Sequence, residues 1–209
     1  RRMQNPERPK TGSKARSRDP FEINGVRAPA GRLTEVELQV ARLPTGMWMS
    51  LPVGVLHGRR PGPVISISAA IHGDELNGIP IIRHVLDRID PRELAGTVLA
   101  VPAVNVFGLI QESRYLPDRR DLNRSFPGSE KGSLAARLAN AFLEEVVSKA
   151  DYGIDLHTGA VHRENLPQVR AAQACPPARS TRASLRPWRA AIRPSSWIRP
   201  TWLAKVETT

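Results

Sequence analysis

The sequence is poor in cysteine and has no long apolar stretch. Its 209 residues include a single cysteine, Cys175, which excludes a disulfide framework and favours a reducing compartment. No segment reaches the roughly 18 consecutive apolar residues of a membrane-spanning helix. No apolar run follows the basic N-terminus, as it would in a secretory signal. We therefore expect a cytoplasmic protein with no membrane partner.

Acidic residues are scarce at both ends of the chain. Residues 1–18 carry seven Lys or Arg and one acid, and residues 170–209 carry eight Lys or Arg and one acid. Between these ends, acids outnumber bases by 18 to 16. The formal charge of +11 therefore comes from the two ends. Nucleic-acid binding is typical of positive charge clustered on a folded surface, so we expect no native nucleic-acid partner.

Between the two ends, the apolar pattern predicts strands that alternate with helices. The predicted strands are residues 33–40, 47–56, 64–70, 97–102 and 151–157, and the predicted helices are residues 76–88 and 134–147. This alternation predicts an α/β fold, a three-layer α/β/α sandwich around a mixed, mostly parallel sheet. We predict that the domain covers residues 21–170 and that residues 1–20 form a disordered basic tail.

Residues 171–209 differ in composition from the rest of the chain. They are rich in Ala, Arg, Pro and Ser, they hold three of the four tryptophans, and they show neither helical nor strand periodicity. We hypothesise that this atypical tail is the product of a frameshift near residue 170. The coding nucleotide sequence tests this hypothesis, because a shift of one or two bases should restore an acid-containing, strand-forming sequence.

Two histidines and a glutamate follow the ends of predicted buried strands. His72 and Glu75 form an H-x-x-E pair after one strand, and His157 ends another. Ligand sites of open α/β sheets lie beyond the carboxyl ends of the strands, so the three side chains converge if the strands are neighbours. Two His and one Glu, with a position left for water, make a catalytic zinc ligand set. Each motif alone is weak, because surface H-x-x-E pairs and histidines at strand ends are common.

A long loop, predicted at residues 105–130, carries four arginines. They are Arg114, Arg119, Arg120 and Arg124. A structureless loop of this length is usually functional, and guanidinium groups bind carboxylates through paired hydrogen bonds. Beside a zinc ion, such groups would bind an acidic substrate or stabilise an oxyanion. The alternative is a solvated basic loop whose own aspartates neutralise it.

Three motifs together resemble the succinylglutamate desuccinylase/aspartoacylase family, which is related to the zinc carboxypeptidases. They are Ala-Ile-His-Gly-Asp-Glu-Leu-Asn-Gly at 70–78, Asp-Leu-Asn-Arg-Ser-Phe-Pro-Gly at 121–128 and Asp-Leu-His-Thr-Gly at 155–159. Their order and spacing match the family, and the resemblance covers residues 33–170. It implies a zinc-exopeptidase-like fold that is truncated at its C-terminus.

The resemblance also implies an activity. Members of this family are zinc-dependent deacylases that cleave an N-acyl amino acid into an amino acid and a carboxylic acid. By this resemblance the chain would hold one Zn²⁺, with His72, Glu75 and His157 as the metal ligands. Its partner would be a small N-acylated amino acid or a related acidic substrate.

The same resemblance implies roles for residues of the arginine-rich loop. Arg114 would polarise the scissile carbonyl, with Arg119 and Arg120 as nearby competitors for that role. Asn123 and Arg124 would bind a carboxylate of the substrate.

The family pattern fails after the third motif. The family uses a Glu well beyond it as the general base for the zinc-bound water, but the sole acid after Glu164 is Glu207, and no strand is predicted around it. The later strands of the sheet also have no counterpart, so we expect an exposed sheet edge. His162 and Glu164 are candidates for the mouth of the site, although a surface position is the simpler expectation.

The missing base leaves three interpretations open. We predict an N-acyl amino acid deacylase that binds zinc but turns over poorly or not at all. The first alternative is a metallocarboxypeptidase that acts on peptides. The second is an inactive metal-binding remnant that lacks the general base.

Overall fold

The computed structural model describes residues 18–42, 45–160, 163, 165–172 and 203–208. The strands are β1 (Phe21–Ile23), β2 (Val26–Ala28), β3 (Arg32–Arg42), β4 (Trp48–His57), β5 (Arg60–Ala69), β6 (Ala95–Val101), β7 (Tyr152–Thr158), β8 (Gln168–Ala172) and β9 (Leu203–Thr208). The helices are α1 (Gly78–Arg88), α2 (Val106–Ile110) and α3 (Leu134–Glu145), with 3-10 turns at Leu122–Arg124 and Val147–Lys149.

Seven of these strands form one mixed sheet in the order β3-β4-β6-β5-β7-β9-β8. The four central strands β6, β5, β7 and β9 are parallel to one another. Strand β4 runs antiparallel to β3 and β6, and β8 runs antiparallel to β9. The antiparallel pairs therefore lie at the two edges, and the predicted mixed α/β sheet is confirmed.

Two apolar clusters lie on the opposite faces of this sheet. Strand β6 contributes Leu99 and Val101 to the cluster that includes α3, and Val98 and Ala100 to the cluster that includes Ile82 of α1. Successive side chains of a strand point to opposite faces, so α3 and α1 cover different faces. The three-layer sandwich follows from this alternation.

The centre of the sheet places two strand ends side by side. Strands β5 and β7 are parallel neighbours, with Ala69 opposite Leu156, so their carboxyl ends meet at one edge. Helix α1 begins close to this edge, because a Cβ on Gly78 would lie 2.5 Å from the Cβ of Ala69. The loop between β5 and α1 also packs closely against α2, since a Cβ on Gly73 would lie 2.0 Å from the carbonyl carbon of Gly108. Glycine at both positions lets the backbone at this edge pack tightly.

Three expectations from the sequence are wrong. The segment 105–130 is not structureless, because it contains α2 and the first 3-10 turn, and the side chain of Asn105 accepts a hydrogen bond from the Gly108 amide at the start of α2. The segment 171–209 is not free of strands, because β8 ends within it and β9 lies within it. The expected sheet edge beyond β7 is also covered, since β7 pairs with β9. Backbone pairing with a free edge orders these short segments despite their weak periodicity.

The predicted tail at residues 1–20 lies mostly outside the described residues, as do most of residues 171–209 and both His162 and Glu164. Arg18 and Asp19 are described, and they contact the sheet, where the Asp19 carbonyl oxygen lies 3.0 Å from His57 Nε2. The Arg18 guanidinium donates to the carbonyl oxygens of Gly58 and Gly96 at 3.2 and 2.9 Å. Within the described part of the chain, no helix is both long and apolar enough to cross a membrane.

Candidate metal centre

His72 and Glu75 lie in the loop that follows β5. Strand β5 ends at Ala69, and the Glu75 amide donates to the His72 carbonyl at 3.1 Å, which closes a tight turn. This turn directs both side chains to the same place, where His72 Nδ1 lies 2.7 Å from Glu75 Oε1. The turn is tied to the next strand connection, because the amides of Val104 and Asn105 donate to the carbonyls of Ala69 and Ala70.

His157 reaches the same place from the neighbouring strand. It lies near the end of β7, and its Nδ1 is 2.7 Å from Glu75 Oε2. The rings of His72 and His157 stand edge to face with centroids 5.3 Å apart. The carboxylate of Glu75 therefore lies between the Nδ1 atoms of the two rings.

The donor atoms of these three residues suit a divalent transition metal. One nitrogen of each histidine and one oxygen of Glu75 all lie within 4.8 Å of one another. The side chains are 2, 4 and 2% exposed for His72, Glu75 and His157, and ionisable groups are rarely so buried unless they are paired or ligate a metal. Two imidazoles and one carboxylate match a three-protein-ligand zinc set, so the residues present fit the metal.

Each histidine contacts a second carboxylate through its Nε2 atom. Asp121 Oδ1 lies 3.2 Å from His72 Nε2, and Asp155 Oδ2 lies 2.7 Å from His157 Nε2. Metal-binding histidines usually donate their other ring N–H to a carboxylate or carbonyl, which fixes the tautomer and the ring orientation. Both rings have this arrangement, with Nε2 engaged and Nδ1 facing Glu75.

These aspartates are functional candidates that sequence reasoning did not identify, although both lie within the quoted motifs. For Asp155 the signal was available, because residues i and i+2 of a strand share a face. For Asp121 it was not, because 49 residues of chain separate it from His72.

Arg114 is the arginine of the loop that contacts the candidate ligands. Its Nη1 lies 3.5 Å from Glu75 Oε1 and its Nη2 lies 3.1 Å from Asp121 Oδ2. It is 32% exposed, so it borders both the buried cluster and solvent. Because of these contacts, Arg114 is a better candidate than Arg119 or Arg120 for a role beside the proposed ligands, since both of the latter are exposed.

Asn123 and Arg124 lie in the 3-10 turn beside Asp121. The Asn123 amide donates to Asp121 Oδ1 at 2.9 Å. The Arg124 Nε is 3.6 Å from Asp121 Oδ2, and its side chain is 73% exposed. Both residues therefore lie near the cluster, with the Arg124 side chain largely accessible to solvent.

The charges of the cluster shift its pKa values. Burial alone would raise the pKa of Glu75, but the hydrogen bonds from His157 and His72 outweigh it and hold that pKa well below its usual range. Burial likewise opposes ionisation of Asp121, but His72 and Arg114 lower its pKa to about 2. For His72, burial lowers the pKa, and the bonds to Asp121 and Glu75 more than offset this, so the pKa is raised. Both carboxylates are therefore charged at neutral pH, as metal ligation and its support require.

Residues 61–191 match the succinylglutamate desuccinylase/aspartoacylase catalytic domain, which is more than half of the chain. The chain belongs to this family. The family that the three motifs predict is thereby confirmed. The match includes both candidate histidines and the arginine-rich loop.

Two relatives of this succinylglutamate desuccinylase/aspartoacylase family illustrate the similarity. The N-alpha-acetyl-L-2,4-diaminobutyric acid deacetylase of Halomonas elongata is 34% identical over 110 residues, which are 52% of this chain and 32% of that protein. The crystal structure of succinylglutamate desuccinylase/aspartoacylase from Rhodobacter sphaeroides is 30% identical with a TM-score of 0.56, over 62% of this chain and 40% of that one.

A third relative shows the fold over most of the chain. The crystal structure of a succinylglutamate desuccinylase from Silicibacter sp. TM1040 is 20% identical with a TM-score of 0.64, and it covers 91% of this chain and 63% of that one. The chain therefore spans less than two thirds of the length of each of these relatives.

Proposed function

We propose that the chain carries the zinc site of an N-acyl amino acid deacylase, with His72, Glu75 and His157 as the metal ligands. The observation that supports this best is the buried donor cluster in which two Nδ1 atoms face one carboxylate. Membership of a family of deacylases gives the cluster its chemical context. A zinc ion held there would polarise the amide carbonyl and acidify water.

The residues around the cluster have separate proposed tasks. Asp121 and Asp155 hold the two imidazoles with Nδ1 directed to the metal. Arg114 polarises the scissile carbonyl, because its guanidinium borders both Glu75 and solvent. Asn123 and Arg124 bind the substrate carboxylate, and the exposure of Arg124 leaves its guanidinium accessible to an incoming anion.

The substrate class follows from charge and from the names of relatives. A guanidinium binds a carboxylate through paired hydrogen bonds. Relatives are named for the removal of an acetyl group from N-acetyldiaminobutyric acid and of a succinyl group from succinylglutamate. We propose a small N-acylated amino acid with a free carboxylate as the substrate.

Among the described residues of the cluster, no carboxylate is left uncommitted to act as a general base. The described carboxylates of the cluster, Glu75, Asp121 and Asp155, all accept hydrogen bonds from histidines, so each is already committed to supporting the ligand set. Glu207 is opposite His157 in the parallel pairing of β7 and β9, but it lies in the proposed frameshift tail, so we assign no general base. We still expect poor turnover for this chain, and we keep an inactive metal-binding remnant as the second candidate.

The division of the chain is also a proposal. We propose that residues 21–170 form the partial hydrolase domain and that residues 171–209 are an atypical tail from a frameshift. The match to the family extends to residue 191, beyond the proposed start of that tail. The coding nucleotide sequence decides this point directly.

Hydrolysis assays test the function. Purified full-length chain, loaded with zinc, is offered N-acetyl-L-2,4-diaminobutyrate, N-succinyl-L-glutamate and a short peptide. We expect weak release of the carboxylic acid from an N-acyl amino acid, with none from the peptide, and loss of this activity in His157→Ala. Peptide cleavage alone would favour the metallocarboxypeptidase.

The variant Glu207→Gln tests whether this residue acts as a base. We expect the variant to keep the weak hydrolysis and the zinc binding of the parent chain. Robust hydrolysis by the parent chain that Glu207→Gln abolishes contradicts the argument from the missing base.

A further inference from the structure

A buried serine contacts Asp155, the carboxylate that is hydrogen-bonded to the proposed ligand His157. Ser68 lies in β5, opposite Asp155 of β7, and it is 5% exposed. Its hydroxyl donates to Asp155 Oδ1 at 2.8 Å, whereas the carbonyl of Ile154 is 3.5 Å away. A hydroxyl has one proton to donate, so the shorter contact, to the charged acceptor, takes it.

This contact is the first of three short contacts that run from the sheet to the ligand cluster. The second oxygen of Asp155 accepts from His157 Nε2 at 2.7 Å, and His157 Nδ1 lies 2.7 Å from Glu75. A histidine that ligates through Nδ1 carries its proton on Nε2. The orientation of the Asp155 carboxylate therefore decides how firmly the Nε2 proton is held.

We propose that Ser68 is a positioning residue for His157. Its hydroxyl fixes the rotation of the Asp155 carboxylate, and the carboxylate then holds the imidazole with Nδ1 turned toward Glu75. This role rests on the proposed function, since it assumes that His157 is a metal ligand. Asp155 is 12% exposed, so solvent offers little replacement for the hydroxyl if it is removed.

The two aspartates differ in how they are held. Asp121 accepts from the Asn123 amide and from Arg114 besides His72. Asp155 accepts from Ser68 at Oδ1 and from His157 at Oδ2. Loss of one donor should therefore affect Asp155 more than Asp121.

The same strand provides a matched control. Ser66 is two residues earlier on the same face of β5 and is also 5% exposed. Its hydroxyl lies 3.4 Å from the Tyr152 carbonyl, which belongs to the backbone and has no role in the cluster. Ser66→Ala removes a buried hydroxyl of the same strand without touching Asp155.

Zinc affinity provides the first test. The zinc dissociation constant of the full-length chain is measured by competition with a chromophoric chelator. We expect Ser68→Ala to weaken zinc binding about tenfold, Ser66→Ala to change it by less than about twofold, and Ser68→Thr, which keeps the hydroxyl, to bind like the parent chain. Equal affinities for Ser68→Ala and Ser66→Ala overturn the proposal.

Proton NMR of the imidazole provides a second test that needs no metal. We expect the His157 Nε2 proton to give a downfield resonance that moves in Ser68→Ala and stays in place in Ser66→Ala. If Ser68→Ala does not fold, Ser68→Cys serves instead, because it keeps the volume and weakens the donor. A parent chain that binds no zinc refutes the proposed function, while the resonance still decides the role of Ser68. A His157 Nε2 resonance that does not move in Ser68→Ala overturns the proposed role of Ser68.

Discussion

Replacing Asp121 with asparagine should weaken zinc binding without unfolding the chain. Asp121 accepts hydrogen bonds from His72 Nε2 at 3.2 Å and from Arg114 at 3.1 Å, and it is 8% exposed. Its pKa falls from 3.8 to about 2, which corresponds to about 2 kcal/mol in favour of the charged form. Asparagine keeps the shape and loses this charge.

The affinity change follows from the support that Asp121 gives to His72. Loss of the carboxylate charge leaves the His72 imidazole less firmly oriented and less basic, so we expect the zinc dissociation constant to rise about 30-fold. This lies within the roughly 10- to 100-fold effect known for carboxylates behind metal-binding histidines. Chelator competition at neutral pH measures the change.

The matched control is Asp118→Asn, in the same loop. Asp118 accepts from the Ala135 amide at 3.0 Å and from the Arg120 amide at 3.3 Å. It therefore supports the backbone around α3 and does not touch His72. Equal zinc affinity in Asp121→Asn, Asp118→Asn and the parent chain would refute the reasoning about the second carboxylate.

Two further predictions concern stability. Gly78→Ala should lower the unfolding free energy by about 1 to 3 kcal/mol through overpacking, because the new Cβ would lie 2.5 Å from the Cβ of Ala69. The control Gly54→Ala should be tolerated, because its Cβ would lie 3.5 Å from the nearest atom. Equal melting temperatures for the two variants would contradict this prediction. Burial lowers the pKa of His57 below 6.5, so the unfolded chain binds more protons below that pH and stability should fall on acidification. In urea unfolding, His57→Gln should lose part of this dependence, and identical pH profiles would contradict the assignment.

The sequence predicted the parts of the fold that depend on local pattern. Strand β6 and helix α3 show their periodicity directly, since Leu99 and Leu138 each belong to a regular apolar series. Strand β9 has no such signal, because its pairing with β7 depends on an edge that lies far away in the chain. Long-range pairing is set by the sheet and not by the six residues themselves.

The residues of the candidate site were likewise only partly predictable from the sequence. His72 and Glu75 could be paired from their spacing, because three residues separate them in one turn. His157 required the assumption that β5 and β7 are neighbours, which the sheet confirms. Ser68 and Asp121 could not be placed, because their contacts cross 87 and 49 residues of chain and leave no periodic signal.

Metal stoichiometry tests the central claim most directly. The full-length chain is saturated with zinc, freed of excess and analysed for bound metal beside His157→Ala and His84→Ala. His84 is exposed on α1, so its variant controls for adventitious histidine binding. We predict one zinc per chain in the parent and in His84→Ala, and none in His157→Ala. A parent chain without zinc, or zinc retained by His157→Ala, contradicts the account.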